Sequence, residues 1–269
     1  MTQESIPAIG LGTFRLKGND ARDAVRSALS LGFRHIDTAR MYENESAVGD
    51  GIVSSGIPRR ELFLTTKIWY DELGGDGVMN GIRDSLTKLK TDHVDLLLIH
   101  WPSPDDEVPM EHYLQALRKA RTEGLTRHIG VSNFTCAHLD QAVSILGEGQ
   151  LLTNQVEVHP FLANRKVVEH ASRLGITTTG YMPLAVGKVM EDETLSSIAR
   201  DRNVTAAQLV LAWCRQRKVV PIPSSTRAEH QKANLEALDL ELSAEEIAAI
   251  DGLDRGERIA DPDFAPHWD

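Results

Sequence analysis

An eight-stranded parallel (β/α)8 barrel, a TIM barrel, is the fold this sequence predicts, and three observations carry it. Short apolar and β-branched runs alternate eight times with segments of helical spacing, the pattern of a parallel sheet covered by helices. The second, third and fourth runs lead into Asp37, Lys67 and His100, and Tyr42 follows in the turn after the second. In a barrel all C-terminal strand ends meet at one mouth, where such barrels do chemistry. The competing open, doubly wound sheet needs G-x-G-x-x-G after its first strand. Gly10-Leu11-Gly12-Thr13-Phe14-Arg15 has only two of those glycines.

The elements follow in order. Residues 6–13 read as a short first strand. Helical spacing over 19–31 puts Ala21, Val25, Ala28 and Leu29 on one face, with Asn19 or Asp20 as the expected cap. Strand two, 33–36, is apolar, and the helix 45–55 ends near Gly56 with Pro58 beyond. Strand three, 62–66, runs into Lys67; the helix 81–90 turns Ile82, Leu86 and Leu89 inward; strand four, 94–99, runs into His100. Helix 110–123 stops at Gly124 and precedes strand five, 127–131. Helix 136–146 leads to strand six, 153–158, and helix 164–174 stops at Gly175 before the threonine-rich strand seven, 176–181. Two helices, 192–201 and 206–216, precede strand eight, 219–222, and helices 227–238 and 244–253 close the barrel.

At 269 residues, with no Pro-, Gly- or Ser-rich linker, the chain reads as one domain over 1–269. Its formal charge is −10, from 29 basic and 39 acidic residues, with no basic block. That argues against nucleic-acid and anionic-membrane partners. No apolar run approaches the ~20 residues needed to span a bilayer, and the first residues lack the features of a secretion signal. Cys136 and Cys214 are isolated, which fits a reducing cytoplasm. His35, His93, His112, His128, His138, His159, His170 and His267 show no ligand spacing, so no metal is expected.

The stretch Gly32-Phe33-Arg34-His35-Ile36-Asp37-Thr38-Ala39-Arg40-Met41-Tyr42-Glu43-Asn44-Glu45 closely resembles the signature of the aldo-keto reductase family. The resemblance continues in Thr66-Lys67-Ile68-Trp69, Ile99-His100-Trp101-Pro102, Gly130-Val131-Ser132-Asn133-Phe134, Asn154-Gln155-Val156-Glu157 and Ile222-Pro223-Ser224-Ser225, in the family's order over almost the whole chain. Trp101-Pro102-Ser103-Pro104-Asp105-Asp106-Glu107 and Ala265-Pro266-His267-Trp268-Asp269 are most similar to the bacterial 2,5-diketo-D-gluconate reductases of the short B type.

The resemblance implies carbonyl reduction, in which hydride reaches the carbon and a proton reaches the oxygen. Tyr42 matches the family's general acid. A tyrosine is a weak acid unaided, with a pKa near ~10; Lys67 would favour the phenolate and lower that value, Asp37 would hold Lys67, and neutral His100 would donate a second hydrogen bond to the carbonyl oxygen. The hydride must come from a cofactor, and the resemblance implies NADPH. Ser132, Asn133 and Gln155 match the residues that bind the nicotinamide carboxamide, although Ser132 and Asn133 also read as the N-cap of the next helix. Tyr181 matches the aromatic that stacks on the ring, and Leu184 opens the loop over the pyrophosphate.

After strand eight the chain departs from its family. Aligned on Asn234, Ser224 stands where the family commonly has a lysine and His230 where it has an arginine, the two cations that grip the 2′-phosphate of NADPH. Ser225, Thr226 and Arg227 remain, with the amides of the next helix N-terminus. A weaker preference for NADPH follows, leaving room for NADH. Phe14, Trp69, Trp101 and Trp268, with Phe264, are the expected walls of an open substrate pocket. Keto-sugars such as 2,5-diketo-D-gluconate, methylglyoxal-like dicarbonyls and keto-esters would fit it, and the family implies a monomer. Two other classes compete. A non-catalytic nicotinamide-binding scaffold or regulatory protein on the same fold would not need the complete Tyr, Lys, Asp and His set. A barrel lyase or isomerase would need a metal or a neutral Schiff-base lysine, for which Lys67 beside a carboxylate is poorly suited.

Overall fold

The computed structural model describes residues 5–269. Its strands are β1 (Leu11–Gly12), β2 (His35–Asp37), β3 (Phe63–Ile68), β4 (Val94–Ile99), β5 (Thr126–Ser132), β6 (Leu151–Glu157), β7 (Thr177–Tyr181) and β8 (Val219–Pro221). They pair in chain order, each parallel to the next. Gly10 N–H donates to the Pro221 carbonyl and Gly12 N–H to the Pro223 carbonyl, both at 3.0 Å, so the exit of β8 is sewn to β1 and the sheet closes into a (β/α)8 barrel. A Cβ at Gly12 would lie 2.6 Å from the Ile222 carbonyl oxygen, so only glycine permits this seam.

The helices are α1 (Gly18–Leu31), α2 (Glu45–Ser55), α3 (Gly77–Leu89), α4 (Met110–Thr122), α5 (Cys136–Leu146), α6 (Arg165–Arg173), α7 (Glu193–Asp201), α8 (Ala206–Gln216), α9 (Ala228–Glu236) and α10 (Ala244–Asp251). Strands such as Val94–Ile99 are apolar throughout because both faces are covered. Leu97 and Ile99 of β4 pack outward with the helices, while the alternate residues Leu96 and Leu98 join Phe63 in a separate cluster inside the barrel.

Several helix starts fall where capping chemistry puts them. Thr135, Thr205 and Ser243 form capping boxes at the starts of α5, α8 and α10. α1 is a correction. It starts at Gly18 after Lys17, with no side-chain cap, so Asn19 and Asp20 lie inside its first turn. Another is α3, which starts at Gly77 rather than at Gly81. β1 is shorter than expected, and β3 runs on to Ile68, so Lys67 is a strand residue.

Short 3-10 segments follow several strands at the mouth: Arg40–Tyr42 after β2, Tyr70–Glu72 after β3, Pro104–Asp106 after β4 and, broken by a kink at Val186 and Gly187, Ala185–Met190 after β7. Beyond α10 the chain runs back over the mouth. The buried Glu157 carboxylate at the end of β6 accepts the Ile259 amide at 2.8 Å and the Ala260 amide at 2.7 Å, which pins this tail. Among the described residues, no helix is long and apolar enough to cross a membrane.

Candidate active site

Neighbouring strands bring the charged pair together. β2 ends on Asp37 and β3 carries Lys67; both side chains are essentially without solvent. A buried charge needs a partner, and the Lys67 ammonium has three. It donates to Asp37 Oδ1, to the Thr38 carbonyl at 2.9 Å and to the Tyr42 hydroxyl at 3.2 Å. Burial works against the ammonium, but Asp37 and Tyr42 more than offset it, and the Lys67 pKa lies above the ordinary lysine value. Lys67 is therefore a fixed positive charge.

Tyr42 closes the 3-10 turn after β2, and its ring packs on Phe14 with centroids 5.1 Å apart and on His100 at 5.6 Å. Burial pushes the phenol above its ordinary pKa, while Lys67 pulls it down. The net direction is upward, which corrects the expectation of a lowered value: desolvation of the phenolate outweighs the lysine. At neutral pH Tyr42 holds its proton, as an acid must. His100, just past β4, is held neutral by burial and by repulsion from Lys67, well below the ordinary histidine value. Its Nδ1 is buried without a partner.

A cavity of about 880 Å³ opens over Tyr42 and His100. Its volume is at the large end of the range for ligand pockets. Phe14, Trp69, Trp101 and Phe264 give one side an apolar wall, completed by the tail residues Ile259 to Pro262. Trp268 stands behind this wall. It packs on Trp101 at 5.9 Å, donates to Asp261 at 2.8 Å and lies under the Arg258 guanidinium at 3.7 Å.

Asn133, Gln155, Tyr181, Leu184, Ser224 and His230 line the opposite side. Gln155 donates its amide to Asp37 Oδ2 at 2.7 Å, which leaves its carbonyl oxygen as an acceptor for a carboxamide. Asn133, at φ 61°, donates to the His100 carbonyl at 3.0 Å, and the Tyr181 hydroxyl donates to Asn133 Oδ1 at 2.8 Å. Ser132 lies buried behind them and donates to the Gln155 backbone carbonyl at 2.7 Å. Neither Ser132 nor Asn133 caps α5; Thr135 does, because its hydroxyl accepts the His138 amide. An aromatic ring at a strand end, an amide acceptor beside it and a large open cavity fit a nicotinamide dinucleotide.

Ser225, Thr226, Arg227 and Asn234 lie beside the cavity but outside its lining. Ser225 accepts the Arg227 amide at 3.1 Å, and the exposed Arg227 guanidinium pairs with Glu229 at 2.6 Å. Arg227 is thus already engaged by a carboxylate. Two residues that sequence reasoning passed over also matter: Arg40, whose partners are remote in sequence, and Glu157, which stands inside a recognised motif without an assigned role. The signal for Glu157 was an acidic residue ending an otherwise uncharged buried run. Among the described residues, no group of His, Cys, Asp or Glu is placed to hold a metal ion.

The sequence profile of the aldo/keto reductase family matches residues 8–255. The chain is 50% identical over 266 residues to the methylglyoxal reductase DkgB of Escherichia coli O157:H7, covering 98% of this chain and 100% of that one. Among solved structures, one assigned as a 2,5-diketo-D-gluconic acid reductase B superposes with a TM-score of 0.94 at 43% identity, covering 98% of this chain and 94% of the other. An aldo-keto reductase of Bombyx mori, solved in complex with NADP, gives a TM-score of 0.88 at 35% identity over 95% of this chain and 92% of its own.

Proposed function

The chain belongs to the aldo/keto reductase family, and on that premise we propose that it is an NADPH-dependent reductase of small aldehydes and ketones with Tyr42 as its proton donor. One observation carries the reading: the Tyr42 hydroxyl sits 3.2 Å from a lysine that a buried aspartate keeps charged, at the floor of an open cavity.

The nicotinamide supplies the hydride when bound. Asn133, Gln155 and Tyr181 would hold its reactive end, with Ser132 behind them. Leu184 would cover the middle, and Ser224, Ser225, Thr226, Arg227, His230 and Asn234 would meet the far end. Tyr42 holds the proton destined for the carbonyl oxygen. Lys67 stabilises the phenolate that remains after the proton leaves, and Asp37 keeps Lys67 charged and in place. Neutral His100 offers the oxygen a second hydrogen bond while negative charge builds on it. The aromatic wall of Phe14, Trp69 and Trp101, backed by Trp268, excludes water from the reacting carbonyl.

Small dicarbonyls are the substrate class this cavity suits, in keeping with the methylglyoxal and diketogluconate named for similar proteins. Both cysteines are free, which supports a cytoplasmic setting, and a monomer carries the whole site on one chain. The test follows reduced-nicotinamide absorbance with methylglyoxal as substrate. Wild-type protein consumes NADPH, and Tyr42→Phe loses ~10²- to 10⁴-fold in kcat while still binding NADPH. Undiminished turnover in Tyr42→Phe would remove the basis of the assignment.

A further inference from the structure

Arg40 opens the 3-10 turn that Tyr42 closes, and its side chain is only 15% exposed. Its guanidinium reaches two separate elements. Nε and Nη2 donate to the two oxygens of Glu72, both at 2.7 Å, in the turn after β3. Nη1 donates to Asp84 Oδ2 at 2.7 Å and to the Gly81 carbonyl at 2.9 Å, both in α3. A fork on a carboxylate fixes orientation as well as distance. Gly81 makes the room: a Cβ there would lie 3.3 Å from Arg40 Nε and 3.0 Å from Ile68 Cδ1.

Apart from this clamp, the turn is held by the packing of the Tyr42 ring on Phe14 and His100 and by the neighbouring Asn44 side chain. Asn44 accepts from the Thr38 hydroxyl and donates to the Thr13 and Leu16 carbonyls. None of these contacts reaches α3 or the turn after β3. The turn has one backbone bond from Tyr42 N–H to the Ala39 carbonyl at 3.1 Å and one from Glu43 N–H to the Arg40 carbonyl at 3.0 Å. An exposed Lys17 also donates to the Tyr42 carbonyl at 2.7 Å. Yet the reaction needs the phenol held on Lys67, and a misplacement of ~1 Å can cost ~10²-fold in rate.

We propose that Arg40 is a positioning residue: it clamps the Tyr42 turn to the loop after β3 and to α3, and so keeps the phenol hydroxyl on Lys67. This rests on the reductase reading above. Arg40 touches neither substrate nor cofactor in this scheme; it acts through Tyr42.

The test is Arg40→Gln in the full chain. The kcat for methylglyoxal with NADPH falls by about 10-fold or more, while KM and NADPH affinity stay near wild type. Amide hydrogen exchange at Tyr42 and Glu43 accelerates. In a Tyr42→Phe background the same substitution costs nothing further, because two residues acting through one group are not additive. Arg40→Lys, which can reach one carboxylate at a time, recovers part of the loss. Unchanged exchange at Tyr42 and Glu43 overturns the proposal, as does an equal loss of kcat in both backgrounds, which would mean general loosening. If Arg40→Gln does not fold, Glu72→Gln releases one side of the clamp from a partly exposed residue, and the same readouts apply at smaller size. A wild-type protein that turns over no carbonyl defeats the reductase reading, while the exchange measurement still decides whether Arg40 holds the turn.

Discussion

The Gln155 amide donates to Asp37 Oδ2 at 2.7 Å while Asp37 Oδ1 accepts from Lys67, so one carboxylate joins β6 to β3 beneath the cavity. Both oxygens are engaged, which means that Asp37 is oriented from two directions.

Asp37→Asn should therefore have two effects. One amide group cannot accept on both sides, so either Lys67 or Gln155 loses its partner. Lys67 keeps its bond to the Thr38 carbonyl at 2.9 Å, so kcat falls by less than in Lys67→Met, which removes the charge altogether. NADPH binding weakens in Asp37→Asn as well. Steady-state kinetics with cofactor titration checks both, and an Asp37→Asn variant as inactive as Lys67→Met would contradict the ranking.

Acid should destabilise the fold through its buried imidazoles. Burial lowers the His35 pKa to about 4 and holds that of His100 well below 6.5. An unfolded histidine takes its proton near ~6.5. Below that pH the unfolded chain binds more protons than the folded one, so stability drops as pH falls from 6.5 toward 4. His35 alone accounts for roughly 3 kcal/mol across that window, at ~1.36 kcal/mol per pKa unit. The urea midpoint at pH ~5 should lie below that at pH ~7, with a smaller gap in His35→Asn. Equal midpoints at the two pH values would refute the sign.

The preference for NADPH should respond to charge near Ser224 and His230. Both line the cavity without bringing a permanent cation, and Arg227 is shared with Glu229. Ser224→Lys adds one charge-assisted bond to a 2′-phosphate, worth about 1.5–3 kcal/mol. NADPH should then bind ~10-fold or more tightly, with NADH unchanged. Arg227→Ala should weaken NADPH and spare NADH. Equal responses of the two cofactors, read by fluorescence titration, would place the phosphate elsewhere.

Glu157→Gln should act on the substrate side. The carboxylate receives two successive tail amides and the His159 ring at 2.8 Å. An amide group replaces one acceptor with a donor, so one tail N–H loses its partner and the Ile259 to Pro262 wall loosens. KM for methylglyoxal should rise with little change in NADPH affinity. A KM equal to wild type would show that the wall stands without this anchor.

The barrel was legible in the sequence because its signals are local and repeated. Apolar runs and helical spacing alternate eight times, glycine stops mark Gly56, Gly124 and Gly175, and α2, α5 and α8 begin and end where the pattern puts them. The same locality explains what was missed. A 3-10 turn such as Arg40–Tyr42 is too short to show periodicity. Arg40 resembled any turn arginine, because its partners Glu72 and Asp84 lie 32 and 44 residues away. Asp37, Tyr42, Lys67 and His100 could be placed together because each follows or ends a strand, and strand ends share a mouth. The upward shift of the Tyr42 phenol was not legible, since it depends on how completely the cavity walls strip water from the ring.

The seam between Gly12 and the exit of β8 also bears on synthesis. Asp37, Tyr42, Lys67 and His100 leave the ribosome early, yet the bonds that close the ring wait for Pro221 and Pro223. Such long-range pairing is slow to form, and an open parallel edge invites aggregation while it waits. From His100 until Pro221 is made, a nascent chain thus carries these four side chains without a mouth to put them in.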